Sequence, residues 1–179
     1  LRQAGNGAAH LAAFDRNPAV RARLLELGIV DSVYDTAGEA VTGADCVVLC
    51  APVGAYASIM SEIAPFLEQG SVLTDIGSVK KAVLRDVAPL VPEGVHFVPG
   101  HPVAGSEKSG PDAGFSELFR GRFWLLTPDR GTDPTATAKV EDLWSRVGAI
   151  IELMDAAYHD KVLALTSHLP HLIAYTIVG

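Results

Sequence analysis

Two patterns of apolar and polar residues follow one another along the chain, one typical of strands and one typical of helices. Short, mostly apolar segments typical of strands lie at 10–14, 46–51, 71–75, 95–98, 123–127 and 149–154. The segments between them carry apolar residues every three or four positions, as one face of a helix does, and they lie at 17–28, 59–67, 79–91 and 135–147. Strands that alternate with helices predict an α/β fold with a mostly parallel sheet.

Residues at the predicted helix ends agree with this pattern. Asn17 is a good N-cap, Pro18 suits the first helical position, and Gly28 follows the last apolar residue of that helix. From Asp155 the pattern changes to one long helical run with no strand after it. We therefore predict an α/β domain at 1–152 and the first helix of a helical domain at 153–179.

A glycine-rich stretch at 5–7 looks like the opening of the G-x-G-x-x-G turn that binds a dinucleotide pyrophosphate. That turn needs a strand before it and an acidic residue about 20 residues after it, and Asp15 is too close. We interpret 10–14 as the second strand of a dinucleotide-binding unit, with Asp15 at its carboxyl end, and 5–7 as a turn that ends a helix. On this interpretation the glycine loop lies upstream of Leu1, and we expect the chain to be truncated at both ends.

Composition narrows the possible partners. The chain has 14 Lys and Arg against 21 Asp and Glu, a net charge of -7, which repels nucleic-acid backbones and anionic membrane surfaces. No apolar run approaches the roughly 18 to 20 residues that span a bilayer, so we expect a cytoplasmic protein that binds neither membrane nor nucleic acid. Cys46 and Cys50 are about 13 Å apart in a predicted strand, too far for a disulfide, and we expect both to be buried as small apolar residues.

The ends of the predicted strands indicate where a ligand binds, because ligands of open parallel sheets lie beyond the carboxyl ends of the strands. The candidate segments are Asp15, 51–53, 75–81 and 100–111. Asp15 can accept hydrogen bonds from the ribose hydroxyls of NAD and would repel the 2′-phosphate of NADP. Because Arg16 lies beside it, binding of NADP remains possible. The alternative role for Asp15 is that of a loop acid that caps a helix.

Three polar side chains lie at the predicted start of the helix 79–91. Lys80 and Lys81 occupy its first turn, where the helix dipole disfavours cations, so they indicate an anion nearby. The alternative is two solvated surface lysines. Ser78 is expected at the N-cap, where its hydroxyl caps the helix and can also contact a ligand.

The segment GHPVAGSEKSGP at 100–111 is the most unusual in the chain, since it combines glycines and prolines with several polar groups. We expect a rigid loop. His101 in it is a candidate general base, because a free imidazole has a pKa of about 6.5 and can take a proton at neutral pH. A surface histidine in a turn is the alternative.

Two further imidazoles, His168 and His171, lie three residues apart beside Pro170 in the last helical run. A metal site with His159 as a third ligand is conceivable. However, His159 is nine residues from His168, and no carboxylate has matching spacing. A kinked helix that faces substrate is therefore the favoured interpretation, without a metal.

These motifs together resemble the prephenate/arogenate dehydrogenase family of tyrosine biosynthesis. The resemblance runs through FDRNP, LCAPV, DIGSVK, GHPVAGSEKSGP and HDKVLALTSHLPH, of which the last two are the most specific. It implies a Rossmann-type NAD domain followed by a helical domain that forms a homodimer interface. It also implies NAD-dependent oxidative decarboxylation of prephenate or arogenate.

The resemblance implies roles for single residues. His101 would engage the ring hydroxyl of substrate with help from Ser78, while Ser106, Glu107 and His168 would line the substrate pocket. The candidate contacts to NAD are Asp15, Ala51, Pro52, Val53 and Gly77. An arginine that binds a substrate carboxylate is expected beyond Gly179, because no arginine follows Asp155.

Two other functions remain open at this point. Another NAD(P)-dependent hydroxyacid dehydrogenase on the same fold would need a catalytic lysine on the helix after the nucleotide domain, where Lys161 is the candidate. A regulatory module that binds NAD without turnover is the other possibility.

Overall fold

The computed structural model describes residues 10–105, 110–168 and 176, with the backbone alone for 167 and 168. The strands are β1 (Ala12–Ala13), β2 (Ser32–Val33), β3 (Cys46–Leu49), β4 (Val72–Asp75), β5 (His96–Val98), β6 (Gly100–Pro102), β7 (Phe123–Leu126) and β8 (Ile150–Leu153). The α-helices are α1 (Pro18–Glu26), α2 (Ala37–Val41), α3 (Tyr56–Ile63), α4 (Lys80–Val87), α5 (Pro134–Ser145) and α6 (Ala156–Leu163), and a π-helical turn follows α6 at Ala164–His168.

The strands form three short sheets in which most pairs are parallel. β1 pairs with β2, and β4 lies between β3 and β5, all in parallel. β7 pairs in parallel with β8 but antiparallel with β6. The predicted α/β fold with mostly parallel strands is therefore confirmed.

Apolar layers cover both faces of the central strand β4. Leu73 packs with a cluster built from β3, α3 and α4, whereas the neighbouring Val72 packs with a cluster built from β5, β7 and α5. The second cluster contains the stacked rings of Trp124 and Trp144, with centroids 3.6 Å apart. Because successive residues of a strand point to opposite faces, burial of both shows that β4 lies in the interior.

The predicted order of strands and helices is observed, with three strands or α-helices that the prediction lacks, β2, α2 and β6. The predicted cap of α1 is confirmed, since the Asn17 side chain accepts a hydrogen bond from Ala19 N. None of the α1 residues is buried, although its apolar pattern suggested an amphipathic helix. The glycine stretch at 5–7 lies outside the described residues.

Three local predictions are wrong. The segment that opens with Gly100 does not start as a loop, because Gly100–Pro102 pairs with β7. Ser78 is not the N-cap of α4, because Val79 occupies that position without a side-chain cap. Cys50 is exposed and Cys46 half-buried, so neither thiol is a core residue, and both are free.

In the part of the chain that the structure describes, no helix is long and apolar enough to cross a bilayer.

Candidate active site

The carboxyl ends of β3 and β4 bring two of the predicted ligand segments together. Val53 follows β3, and Gly77 follows β4 in the next loop. A Cβ atom added to Gly77 would lie 2.8 Å from Val53 Cγ2 and 2.8 Å from Asp75 Oδ2, so this position accepts only glycine without rearrangement. Ala51 is half-buried and Pro52 exposed beside them. The segments 51–53 and 77–78 therefore form one edge of the sheet, as the prediction required.

A fully buried ion pair supports this edge. Lys80 Nζ donates to Asp75 Oδ2 at 2.6 Å and to the Gly100 carbonyl oxygen at 2.5 Å, and both charged side chains have 0% exposure. Asp75 also accepts hydrogen bonds from Gly77 N and Gly100 N, at 2.8 and 3.0 Å. The pair thus ties the end of β4 to β6, immediately before His101.

Burial shifts both ionisation equilibria of this pair. It raises the pKa of Asp75 and lowers the pKa of Lys80, because the charged form of each group loses its water, and the ion pair acts in the opposite direction. Lys80 is therefore not a surface lysine, and the anion that its position predicted is the Asp75 carboxylate. Lys81 is exposed.

The amino terminus of α4 is capped by a side chain from α6. Asp160 Oδ1 accepts a hydrogen bond from Lys80 N at 2.7 Å, and Asp160 Oδ2 accepts one from Lys81 N at 3.0 Å. Burial alone would raise the pKa of Asp160, but these N–H groups and the His159 ring together lower it. The carboxylate is therefore stabilised in its ionised form.

The same carboxylate begins a chain of hydrogen bonds that leads to His101. Asp160 Oδ1 lies 2.8 Å from His159 Nδ1, and His159 Nε2 lies 2.9 Å from His101 Nδ1. The two imidazole rings meet edge to face, with centroids 5.1 Å apart. His159 is completely buried, which lowers its pKa although Asp160 acts against the shift. His101 is half-buried on β6.

Asp15 lies just beyond β1 and is half-buried. Its Oδ1 accepts a hydrogen bond from Asn17 N at 2.7 Å, and its carbonyl oxygen accepts one from Arg21 Nη1 at 2.7 Å. The residue that caps α1 is Asn17, so Asp15 is not the cap. Arg16 is exposed.

Comparison with known proteins agrees with these observations. Residues 1–153 match the family described as prephenate dehydrogenase, nucleotide-binding domain. The chain belongs to this family. A cyclohexadienyl dehydrogenase of Zymomonas mobilis is 45% identical over 166 residues, which cover 93% of this chain and 56% of the relative. A prephenate dehydrogenase of Bacillus subtilis is 34% identical over 155 residues, which cover 86% and 42%.

A solved structure of the same family has the same fold. Prephenate dehydrogenase of A. aeolicus, in complex with hydroxyphenyl propionate and NAD+, superimposes with a TM-score of 0.91 at 32% identity. The match covers 99% of this chain and 62% of that chain. The expected Rossmann-type α/β domain is thereby confirmed, and the chain spans about half the length of the curated relatives it matches.

The other predicted site residues are an exposed serine and several residues that the structure does not describe. Ser78 is exposed in the turn between β4 and α4, two residues before Lys80. Ser106, Glu107 and His171, and the side chain of His168, lie outside the described residues. Of the residues predicted for catalysis or substrate binding, the structure therefore describes the side chains of His101 and Ser78.

Sequence reasoning missed the two residues that connect His101 to the helices. His159 was considered only as a metal ligand, and Asp160 was not considered. The available signal was the adjacent His-Asp pair within the motif HDKVLALTSHLPH, since a carboxylate next to a histidine is a common way to orient an imidazole.

Gly100 provides a test of how tightly this centre is packed. A Cβ atom there would lie 3.0 Å from the Asp75 carbonyl oxygen and 2.9 Å from Trp124 Nε1. We expect Gly100→Ala to lower the free energy of unfolding by about 1–3 kcal/mol through overpacking, measured by urea denaturation of the full-length protein. Gly131→Ala is the control, because nothing lies within 4 Å of the added atom. Equal stability of the two variants would show that β6 shifts without cost.

Proposed function

We propose that the full-length protein catalyses the NAD-dependent oxidative decarboxylation of prephenate to 4-hydroxyphenylpyruvate, or of arogenate to tyrosine, in tyrosine biosynthesis. The observation that carries this proposal is the position of the His101 imidazole. It is hydrogen-bonded to His159, and the residue before it, Gly100, donates a hydrogen bond to Asp75 at the end of β4. The names of the relatives support the substrate class, since they are cyclohexadienyl and prephenate dehydrogenases.

Residues just beyond the ends of β1, β3 and β4 fit NAD as the cofactor. Asp15 offers a carboxylate beyond β1 whose orientation is fixed by Asn17 N, which suits the hydroxyls of a ribose. Val53 and Gly77 offer closely packed backbone at the ends of β3 and β4, where a ligand of a parallel sheet binds. A relative of known structure binds NAD+. When bound, NAD+ supplies the acceptor for the hydride that leaves the substrate ring.

His101 is proposed to act as the general base of this reaction. Its imidazole accepts the proton of the ring hydroxyl while the hydroxyl carbon is oxidised, and the ring carboxylate leaves as carbon dioxide so that the ring becomes aromatic. A base fixed in position in this way accelerates proton transfer without reorganisation. Ser78 is proposed to assist by orienting the hydroxyl, and Ser106, Glu107 and His168 to contact substrate.

The alternative of a hydroxyacid dehydrogenase with a catalytic lysine is less well supported. Lys161 is exposed on α6, on the helix where such a lysine is required. Lys80 is fully buried, and its ammonium group is already bound to Asp75 and to the Gly100 carbonyl oxygen. Lys80 is therefore unavailable to substrate, so this alternative depends on Lys161 alone, whereas the match of residues 1–153 to the prephenate dehydrogenase family favours the first proposal.

The proposed reaction is tested by assaying the full-length protein with prephenate and with arogenate, each in the presence of NAD+ and of NADP+. Formation of reduced nicotinamide together with release of carbon dioxide is the expected result with at least one substrate. Turnover of simple 2-hydroxy acids instead would favour the alternative dehydrogenase. Binding of NAD+ without turnover of any of these compounds would favour a regulatory module.

Asp15 is expected to set the cofactor preference. In the wild-type protein kcat/KM should be higher with NAD+ than with NADP+, because the carboxylate repels a 2′-phosphate. We expect Asp15→Ser to reduce the ratio of the two kcat/KM values by about tenfold, which corresponds to about 1.4 kcal/mol. Steady-state kinetics with both cofactors measures this ratio.

Asp35→Ser is a matched control for this experiment, because Asp35 is an exposed carboxylate that pairs with Arg21 just beyond β2, the strand that pairs with β1. It should leave the ratio unchanged. A wild-type preference for NADP+, or an equal effect of the two substitutions, would contradict the role of Asp15.

We also propose that the full-length protein acts as a homodimer in the cytoplasm, as the family resemblance implies. Sedimentation velocity of the full-length protein measures the oligomeric state.

A further inference from the structure

We propose that His159 and Asp160 are positioning residues that set the tautomer of His101. This inference rests on the proposed function, in which His101 is the general base. The geometry behind it is the continuous chain of hydrogen bonds from Asp160 Oδ1 through the His159 ring to His101 Nδ1.

The direction of the first hydrogen bond follows from the chemistry of its partners. An ionised carboxylate can only accept hydrogen bonds. Asp160 is ionised, because its oxygens already accept the N–H groups of Lys80 and Lys81 at the start of α4. His159 must therefore carry its proton on Nδ1 and donate it to Asp160.

The direction of the second hydrogen bond follows from burial of His159. Its ring has 0% exposure, and a buried imidazole is favoured in its neutral form. A neutral ring with a proton on Nδ1 has a lone pair on Nε2, which accepts a hydrogen bond from His101 Nδ1. His101 then has its lone pair on Nε2, the nitrogen that takes a proton from substrate.

The charged groups around His159 are compatible with this state. Asp160 lies on the same helix, while Asp75 and Lys80 reach it from β4 and α4. Asp75 and Lys80 are paired with each other, so their effects on the imidazole largely oppose one another. The dominant influence is burial, which keeps His159 uncharged and able to accept from His101.

Asp160 also links the tautomer to the fold. The same oxygen that accepts from His159 Nδ1 accepts from Lys80 N, and Lys80 in turn contacts the Gly100 carbonyl oxygen beside His101. The two histidines are thus held against one another from both sides, by α6 and by β6.

A pair of substitutions at His159 separates positioning from mere packing. His159→Met has a similar volume but offers only a poor acceptor to His101, whereas His159→Gln presents an amide oxygen near the former Nε2. We expect His159→Met to lower kcat of the full-length protein by about 10–100-fold, with KM much less affected, because the imidazolium formed at His101 loses its hydrogen-bond acceptor. His159→Gln should recover at least about fivefold of that loss, because it restores the acceptor.

The pH dependence gives a readout that a structural role would not move. An acceptor at His101 Nδ1 stabilises the imidazolium more than the neutral ring, so its loss should lower the pKa of the base. For His159→Met we expect the rising limb of kcat/KM to move to lower pH by about half to one unit, while His159→Gln stays close to wild type. His96→Gln is the control and should change neither value, since His96 pairs with Val72 at the amino end of β4, whereas the site lies at the carboxyl end of that strand.

Nitrogen-15 NMR of the histidine rings in the full-length protein tests the tautomers without any turnover. We expect wild-type His101 and His159 both to carry the proton on Nδ1, and His101 to become a mixture of tautomers in His159→Met. Thermal unfolding of each variant establishes that it is folded. A wild-type His101 protonated on Nε2 would overturn the inference, as would folded Met and Gln variants with equal kcat and unshifted pH profiles. Failure of the proposed function alone would appear as an inactive wild-type protein with the expected tautomers.

Discussion

Replacement of His101 by alanine is expected to lower kcat of the full-length protein by about 10²–10⁴-fold, the usual effect of losing a positioned general base. The imidazole is half-buried on β6, where its Nδ1 lies 2.9 Å from His159 Nε2. Alanine leaves no group at this position that can accept the proton of the ring hydroxyl. KM should change much less, since in the proposed reaction residues other than His101 bind the substrate carboxylates.

The pH profile of kcat/KM is expected to change with the same substitution. A base must be unprotonated to work, so kcat/KM of the wild-type protein should rise with pH as an imidazole loses its proton, an event centred at about 6.5 for free histidine. His101→Ala should lose this rise. Steady-state kinetics with the preferred substrate over a range of pH values provides both measurements.

His96→Ala serves as the control for His101→Ala, because it removes another half-buried imidazole from a strand that precedes β6. It should retain wild-type kcat. If His101→Ala instead kept near-normal kcat with an unchanged pH profile, His101 would be an ordinary strand residue. The base would then be sought at His168.

Much of the fold is predictable because continuous apolar segments can be recognised as strands from the sequence. β3, β4 and β7 are buried strands whose apolar residues leave little doubt, and α1 is marked by Asn17 and Pro18 at its start. The missed elements β2 and α2 have two and five residues, too few to show a period. A local signal for α2 was nevertheless present, since Thr36 and Glu39 form a capping box.

The part of the candidate site that lies within one unusual segment could be predicted from the sequence. Contacts between residues far apart in the chain could not. His101 was identified from the composition of its own segment. Its contact with His159 joins residues 58 apart in the chain, and the cap of α4 by Asp160 spans 80 residues from Lys80. No periodicity encodes such contacts, because they depend on how α6 packs against α4.

For Lys80, the sequence correctly indicated a nearby anion but not which group the anion is. A cation in the first turn of a helix is unfavourable, and this conflict indicated a nearby anion. The anion is Asp75, five residues earlier and equally buried, rather than a ligand. The sequence contained both residues, but their burial depends on the two apolar layers around β4.

Substitution of Lys80 by methionine is expected to lower the free energy of unfolding by about 3–5 kcal/mol, because it leaves the Asp75 carboxylate buried without its counter-ion. Methionine fills a similar volume, so the loss of packing is small. The Gly100 carbonyl oxygen also loses its donor. Urea denaturation of the full-length protein measures the effect.

Lys81→Met is the matched control, since Lys81 is the next residue of the same helix turn but is exposed, and surface substitutions usually change stability by no more than about 0.5 kcal/mol. The double variant Lys80→Met with Asp75→Asn should lose less stability than the sum of the two single variants, because it removes both charges. Equal stability of Lys80→Met and Lys81→Met would contradict the assignment of a buried ion pair. If the double variant loses as much stability as the two single variants together, the two side chains contribute separately. A smaller loss, as expected, would show that each charge destabilises the fold mainly when its partner is absent.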